Sequence, residues 1–138
     1  MTPTLFGRWQ TRTLLLATLG AIVTAIFAVA KSDETFFIVL AFVALFGLAW
    51  DAVYIAIQRL RWDRDWPTPF QVAAGVVEGV LVYALIEAAG LPGIDQGSVG
   101  IGLFVAHYGL TWLSVFLFTQ GPMRVVVPRW RYDGGRVL

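Results

Sequence analysis

The chain has 138 residues, of which 58% are hydrophobic and only 14% charged, with a formal net charge of +1. Soluble domains are about a quarter charged, so a water-soluble globular domain is a poor description. There is no cysteine, which excludes disulfides, thiolate catalysis and cysteine-based metal sites.

A bilayer core about 30 Å thick needs about 20 mostly apolar helical residues per crossing. Four such runs follow one another, at about 14–30, 36–57, 70–89 and 99–119. Each is too long and too uniformly apolar for a strand. The sequence therefore predicts an all-α membrane protein, a bundle of four transmembrane helices forming one domain over 1–138. A loop at 58–69 and a basic tail at 120–138 lie outside the spans.

The first run follows Arg8 and Arg12 and ends at Ala28-Val29-Ala30 before Lys31, which also has the form of a signal-peptide cleavage site. A run of 17 residues exceeds the usual signal-peptide core, so a retained first span is expected. Its small residues, Ala17, Gly20, Ala21, Thr24, Ala25 and Ala28, favour close helix packing. Before the second span, Ser32 is expected to cap, with Asp33 and Glu34 in the following turn.

Arg59, Arg61 and Arg64 fill the loop between the second and third spans, and Arg124, Arg129, Arg131 and Arg136 fill the tail. Together with Arg8 and Arg12, nine basic residues lie on one side and Lys31 alone on the other. The positive-inside rule then puts both termini in the cytoplasm and the chain in the inner or plasma membrane. Trp9, Trp62, Trp66 and Trp130 fall on the same side, as an aromatic belt does.

In the 58–69 loop, Trp62 and Trp66 are four apart, as are Arg61 and Asp65, so a helical continuation would show an aromatic face and an ion-pair face. Arg61, Trp62, Arg64 and Trp66 are candidate contacts for lipid or for a partner protein, and Pro67 ends the segment. Thr68-Pro69-Phe70-Gln71 reads as a capping box opening the third helix. Gly75 and Gly79 form a GxxxG motif for packing against a neighbouring helix or another copy.

Leu91-Pro92-Gly93 and Gly97 predict a tight turn before the fourth span. That span should stop at Gly121-Pro122, with Gly in a left-handed cap. In the tail, Val125 to Val127 and Trp130 are expected to lie on the bilayer, with Arg129 and Arg131 meeting anionic lipid.

Asp51, Glu78 and His107, one on each of the last three spans, are the candidate intramembrane polar groups. Asp51 and Glu78 lie roughly 9 and 12 Å from the inner ends, and His107 roughly 12 Å from the outer end, at 1.5 Å per residue. Each lies on a polar or small stripe: Gly47, Asp51, Tyr54 and Gln58 on the second helix, and Gly100, His107, Thr111 and Ser114 on the fourth. Such groups face a bundle interior and serve either structure or ion transfer. A proton or cation site would pair Glu78 with His107, with Asp51 and Tyr54 leading inward. The structural alternatives are a Glu78–His107 hydrogen bond that fixes helix register, or Asp51 held by Arg59 or a headgroup-level Arg. Glu87, nine residues after Glu78, faces the opposite side of its helix.

No metal-ligand spacing, phosphate loop or nucleophile elbow is present, and no cofactor is expected. Two functional readings follow. The first is a non-enzymatic accessory or assembly subunit, partnered by the bilayer and by another protein or a second copy. The second is a small oligomeric proton- or cation-linked transporter or channel built on Asp51, Glu78 and His107. A membrane enzyme acting on lipid lacks an evident nucleophile and base, and a nucleic-acid role does not suit so short a basic patch.

Overall fold

A computed structural model describes residues 3–61 and 67–138, and among these the only regular structure is helix, with no strand. Trp62, Arg64 and Trp66, and the expected Arg61–Asp65 pair, lie at least partly outside the described residues. Four helices are long and apolar enough to cross a membrane: α1 (Leu5–Lys31), α2 (Thr35–Leu60), α3 (Thr68–Ala89) and α4 (Ile101–Gln120). Two short helices follow, α5 (Pro122–Val126) and α6 (Arg129–Tyr132). The long helices alternate in direction, and each packs on its sequence neighbour, with α4 closing the ring against α1.

Helix α1 begins well before the apolar run. Thr4 caps it, its hydroxyl accepting from the Gly7 amide at 3.1 Å, so Arg8 and Arg12 lie on the helix itself. Midway, Leu16–Gly20 widens into a π turn, in which the Ala21 amide donates back to the Leu16 carbonyl. The Thr18 hydroxyl donates to the Leu14 carbonyl at 2.7 Å beside it. A π turn is one extra residue stored in an α-helix. Arg12 and Thr24 are twelve residues apart and would stand about 120° apart on an unbroken helix. The extra residue takes back about 100° of that, so both face the interior.

The helix ends differ from the sequence expectation. Ser32 does not open α2; it ends α1 in the left-handed conformation, φ 52°. Asp33 acts at the α2 start instead, accepting from the Thr35 amide at 2.9 Å. No Thr68 capping box forms: α3 already includes Thr68, and the Phe70 and Gln71 amides donate to the Pro67 carbonyl. Gly121 ends α4 at φ −118°, outside the left-handed region, because Pro122 starts α5 at once. The 90–98 turn is tight, with Leu91 and Ile94 exchanging both backbone hydrogen bonds, at 2.9 and 2.7 Å.

The two ends of the bundle are packed differently. Away from the termini, Leu16, Val39, Leu40, Val43, Val82, Ile86, Ile94 and Phe104 form a continuous apolar core from all four long helices. At the other end the chain's two termini meet. There α5, α6 and the residues after them fold back along α1 as a strap, with Leu15, Met123 and Trp130 buried beneath it. The Thr4 amide donates to the Gly134 carbonyl at 2.8 Å, and the Thr11 hydroxyl to the Gly135 carbonyl at 2.8 Å. Trp130 Nε1 donates to Thr11 Oγ1 at 2.8 Å. Trp130 is therefore directed into the protein, whereas Val125 and Val126 remain exposed.

Candidate functional site

Arg8 and Arg12, one turn apart on α1, reach across the bundle to the two interior carboxylates. Arg8 donates through Nε and Nη2 to Asp51 Oδ1 on α2, at 3.0 and 2.7 Å. Arg12 bridges two helices. Its Nε and Nη2 donate to Asp51 at 2.9 and 3.2 Å. Its Nη1 and Nη2 donate to the two oxygens of Glu78 on α3, at 2.7 and 3.1 Å. Asp51 is 1% and Glu78 5% exposed.

Carboxylates this buried are tolerable only when charge-paired and hydrogen-bonded, and the planar guanidinium supplies both in bidentate form. Two cations and two anions make the cluster neutral. Tyr54 completes it from below, its ring centroid 4.6 Å from the Arg8 guanidinium carbon. Gly47 on α2 makes the crossing possible, because a β-carbon there would overlap the Arg12 guanidinium.

His107 belongs to a different neighbourhood. Its Nε2 shares a 2.8 Å hydrogen bond with Thr24 Oγ1 on α1, and Phe27 and Phe36 pack on its ring at centroid distances of 5.4 and 5.2 Å. The expected Glu78–His107 pair is thus replaced by Arg12–Glu78 and Thr24–His107. Of the two expectations for Asp51, Arg59 or a headgroup-level Arg, the partners are of the second kind, Arg8 and Arg12 from α1. Gly75 and Gly79 lie beneath the rings of Trp112 and Tyr108 on α4, and the Tyr108 hydroxyl donates to the Gly75 carbonyl at 2.7 Å.

Above the cluster a cavity of about 450 Å³ runs through the half of the bundle nearest the termini. Its outer part is bounded by Pro67, Thr68, Gln120, Arg124 and Arg131, and its inner part by Arg12, Glu78, Thr111 and His107. Gln120 Nε2 donates to Gln71 Oε1 at 3.2 Å, joining α4 to α3 beside the opening. A second space of about 150 Å³ adjoins the cluster between Tyr54, Gln71 and Trp112.

All four ion-site candidates therefore border this region. Asp51, Glu78 and His107 line the cavity, and Tyr54 lines the adjoining space. From the tail, Arg131 and Trp130 line it as well, whereas Arg129 points away to Asp133 at 3.7 Å. Arg61 lies at the end of α2, its guanidinium carbon 5.1 Å from the Phe70 ring centroid. Sequence reasoning left Arg8 and Arg12 as flanking charges and Thr24 as a packing residue; the signal that finds the two arginines is uncompensated charge, since two interior carboxylates call for cations at the same depth.

Each of the four carboxylate oxygens of the cluster accepts from a guanidinium. Among the described residues, no three His, Asp or Glu side chains gather in a metal-binding group. No family model, curated relative or solved structure matches this chain.

Proposed function

We propose that this small multi-pass membrane protein is a non-enzymatic binding or carrier protein, which takes a small ligand into the cavity among its helices. The observation that supports this reading is the cavity itself. Ligand sites run about 300–1,000 Å³ and combine apolar walls with a few fixed polar groups, and they occur between the helices of bundles. This one has the size, the walls and a rigid ionic floor.

The cavity is blind. Past the cavity-lining Leu16, Leu40 and Val43, the core residues Val39, Val82, Ile86, Ile94 and Phe104 fill the bundle, which favours a binding site over an open channel. The accessory-subunit reading rested on the GxxxG motif and the Trp/Arg loop; Tyr108 and Trp112 occupy the former within the chain. The proton-site reading needs free carboxylates, and Arg8 and Arg12 engage both. The excess of Arg at the terminal end would set the opening toward the cytoplasm of an inner or plasma membrane.

The test is native mass spectrometry of the full chain, released from membranes in mild neutral detergent, beside Val115→Phe, which fills the cavity wall. A bound small molecule on the wild-type protein that is lost from the variant supports the reading. A wild-type protein bare of any small molecule, whatever membrane extract it is offered, defeats it.

A further inference from the structure

Part of the cavity wall comes from outside the four long helices. Trp130, Arg131 and Gly135 of the strap line it beside Gly7, Thr11 and Arg12 of α1, so the seam between strap and α1 is itself cavity wall. Arg124 and Arg131 also bound its outer part, together with Pro67, Thr68 and Gln120.

The seam is held differently from the rest of the bundle. The ionic cluster and the apolar core tie the long helices to one another. The strap packs Met123 and Trp130 against Leu15, in a small cluster separate from that core. Segments held by a satellite cluster and a few hydrogen bonds open at lower free energy than a core does.

The hydrogen bonds across the seam converge on α1 at Thr4, Gln10 and Thr11. Thr11 is their centre. Its single hydroxyl donates to the Gly135 carbonyl and accepts from Trp130 Nε1, both at 2.8 Å. One side chain of α1 thus fixes two points of the strap, and all three residues line the cavity.

Where the strap leaves α4 there is a joint. Gly121 stands outside helical geometry, at φ −118° and ψ −86°, and Pro122 has no amide with which to continue the α4 ladder. Rotation there would carry α5 and α6 away from α1 without unwinding α4.

We propose that residues 122–138 are a gate on the cavity, hinged at Gly121-Pro122 and latched by the Thr11 hydroxyl. Opening withdraws Trp130 from its place against Leu15, breaks both Thr11 bonds and takes Trp130, Arg131 and Gly135 out of the wall. The gate deepens the ligand-binding reading and rests on it for what is admitted.

The chain has no cysteine, so Val115→Cys puts a single thiol on the cavity wall. The experiment measures how fast a small charged methanethiosulfonate modifies position 115 in the purified full chain in neutral detergent. Thr11→Val keeps the side-chain shape and removes both latch bonds, and should speed the reaction at least about tenfold. Trp130→Phe keeps an apolar anchor and removes one bond, and should speed it about fivefold. Val82→Cys, placed in the apolar core, is the control. Its reaction should be unchanged by either latch variant.

Equal rates at position 115 with and without the latch overturn the gate, as does a matching rise at position 82, which would mean that the whole bundle has loosened. If labelling follows the latch but the native protein carries no small molecule, the gate stands and the ligand-binding reading falls. A bound molecule together with labelling indifferent to the latch removes the gate and leaves that reading.

Discussion

The Arg12 side chain crosses α2 at Gly47, where a single methyl group would occupy the position of its guanidinium. The shortest residue on α2 and the longest reach from α1 are therefore one device. Through it a cation on the first helix meets carboxylates on the second and the third. Gly47→Ala should destabilise the bundle despite the better helix former. Breaking a buried ion pair costs about 3–5 kcal/mol, and alanine returns at most about 1 kcal/mol in a helix. The expected net loss is about 2–4 kcal/mol, read as a lower unfolding midpoint in detergent. An unchanged midpoint would mean that the flexible end of Arg12 shifts around the added carbon and keeps its carboxylates.

Arg12→Met leaves Glu78 as an isolated carboxylate, while Asp51 keeps Arg8. Adding Glu78→Gln removes that isolated charge. The double variant should therefore be more stable than Arg12→Met alone, with a coupling energy above about 1 kcal/mol, as expected of groups sharing one buried network. A double-mutant cycle of thermal or denaturant midpoints measures it. Additive losses would show that the two side chains do not meet.

Gly7 sits where α1 meets the strap, and a β-carbon there would overlap the Gly134 carbonyl. Gly7→Ala should leave the four long helices assembled but lift the strap. Amide hydrogen exchange reports this directly. Protection should fall at Gly135 and Val137, whose amides donate to Trp130 and Gln10, and hold at Val82 and Ile86. Uniform loss of protection would instead mean global destabilisation.

The Asp33 carboxyl titrates below its ordinary value of 3.8 because hydrogen bonds from Thr35, first side chain and then amide, favour the ionised form. A lowered folded-state value stabilises fully above the ordinary carboxylate range, and that support disappears as pH falls through the lowered value. The first turn of α2 should therefore fray on acidification and stay intact from mildly acidic to neutral pH. Thr35 amide exchange followed by NMR in micelles measures the transition, and Asp33→Asn should abolish its pH dependence.

Deleting Ala17 from the π turn should be tolerated better than deleting Ala25 from regular helix. The first deletion turns the wide turn into ordinary helix and keeps Arg12 and Thr24 on one face. The second rotates every later residue of α1 by about 100°. Folded yield and melting midpoint of the two variants would compare them, and equal damage would contradict the proposed phasing.

The four helices were legible because twenty-residue apolar runs leave few alternatives. The buried carboxylates stood out for a similar reason, as charges within otherwise apolar segments. Their partners were hidden by position. Arg8 and Arg12 precede the apolar run, where basic residues ordinarily mark a membrane flank, and the one local sign that the helix starts at Leu5 is the capping Thr4. The π turn was illegible too, since Leu16–Gly20 has no proline or other breaker and its geometry follows from the two sets of partners that α1 must meet. His107 was matched with Glu78 by depth alone; the 100° per residue phase that separates them depends on helix rotations fixed only by packing. The Thr68 capping box failed because Pro67, one residue earlier, already supplies the carbonyl that opens α3.

The neutrality of the Arg8, Arg12, Asp51 and Glu78 cluster exists only when three helices are together. In a bilayer, each of these residues on an isolated helix would expose a charge costing about 2.5–3.5 kcal/mol at the centre and less near the surface. The first helix made is thus unfinished until the third has joined it. In a membrane, insertion and assembly would then be a single event, and α1 would have reason to wait near the headgroups, its arginines still hydrated, until Asp51 and Glu78 arrive to draw it to full depth.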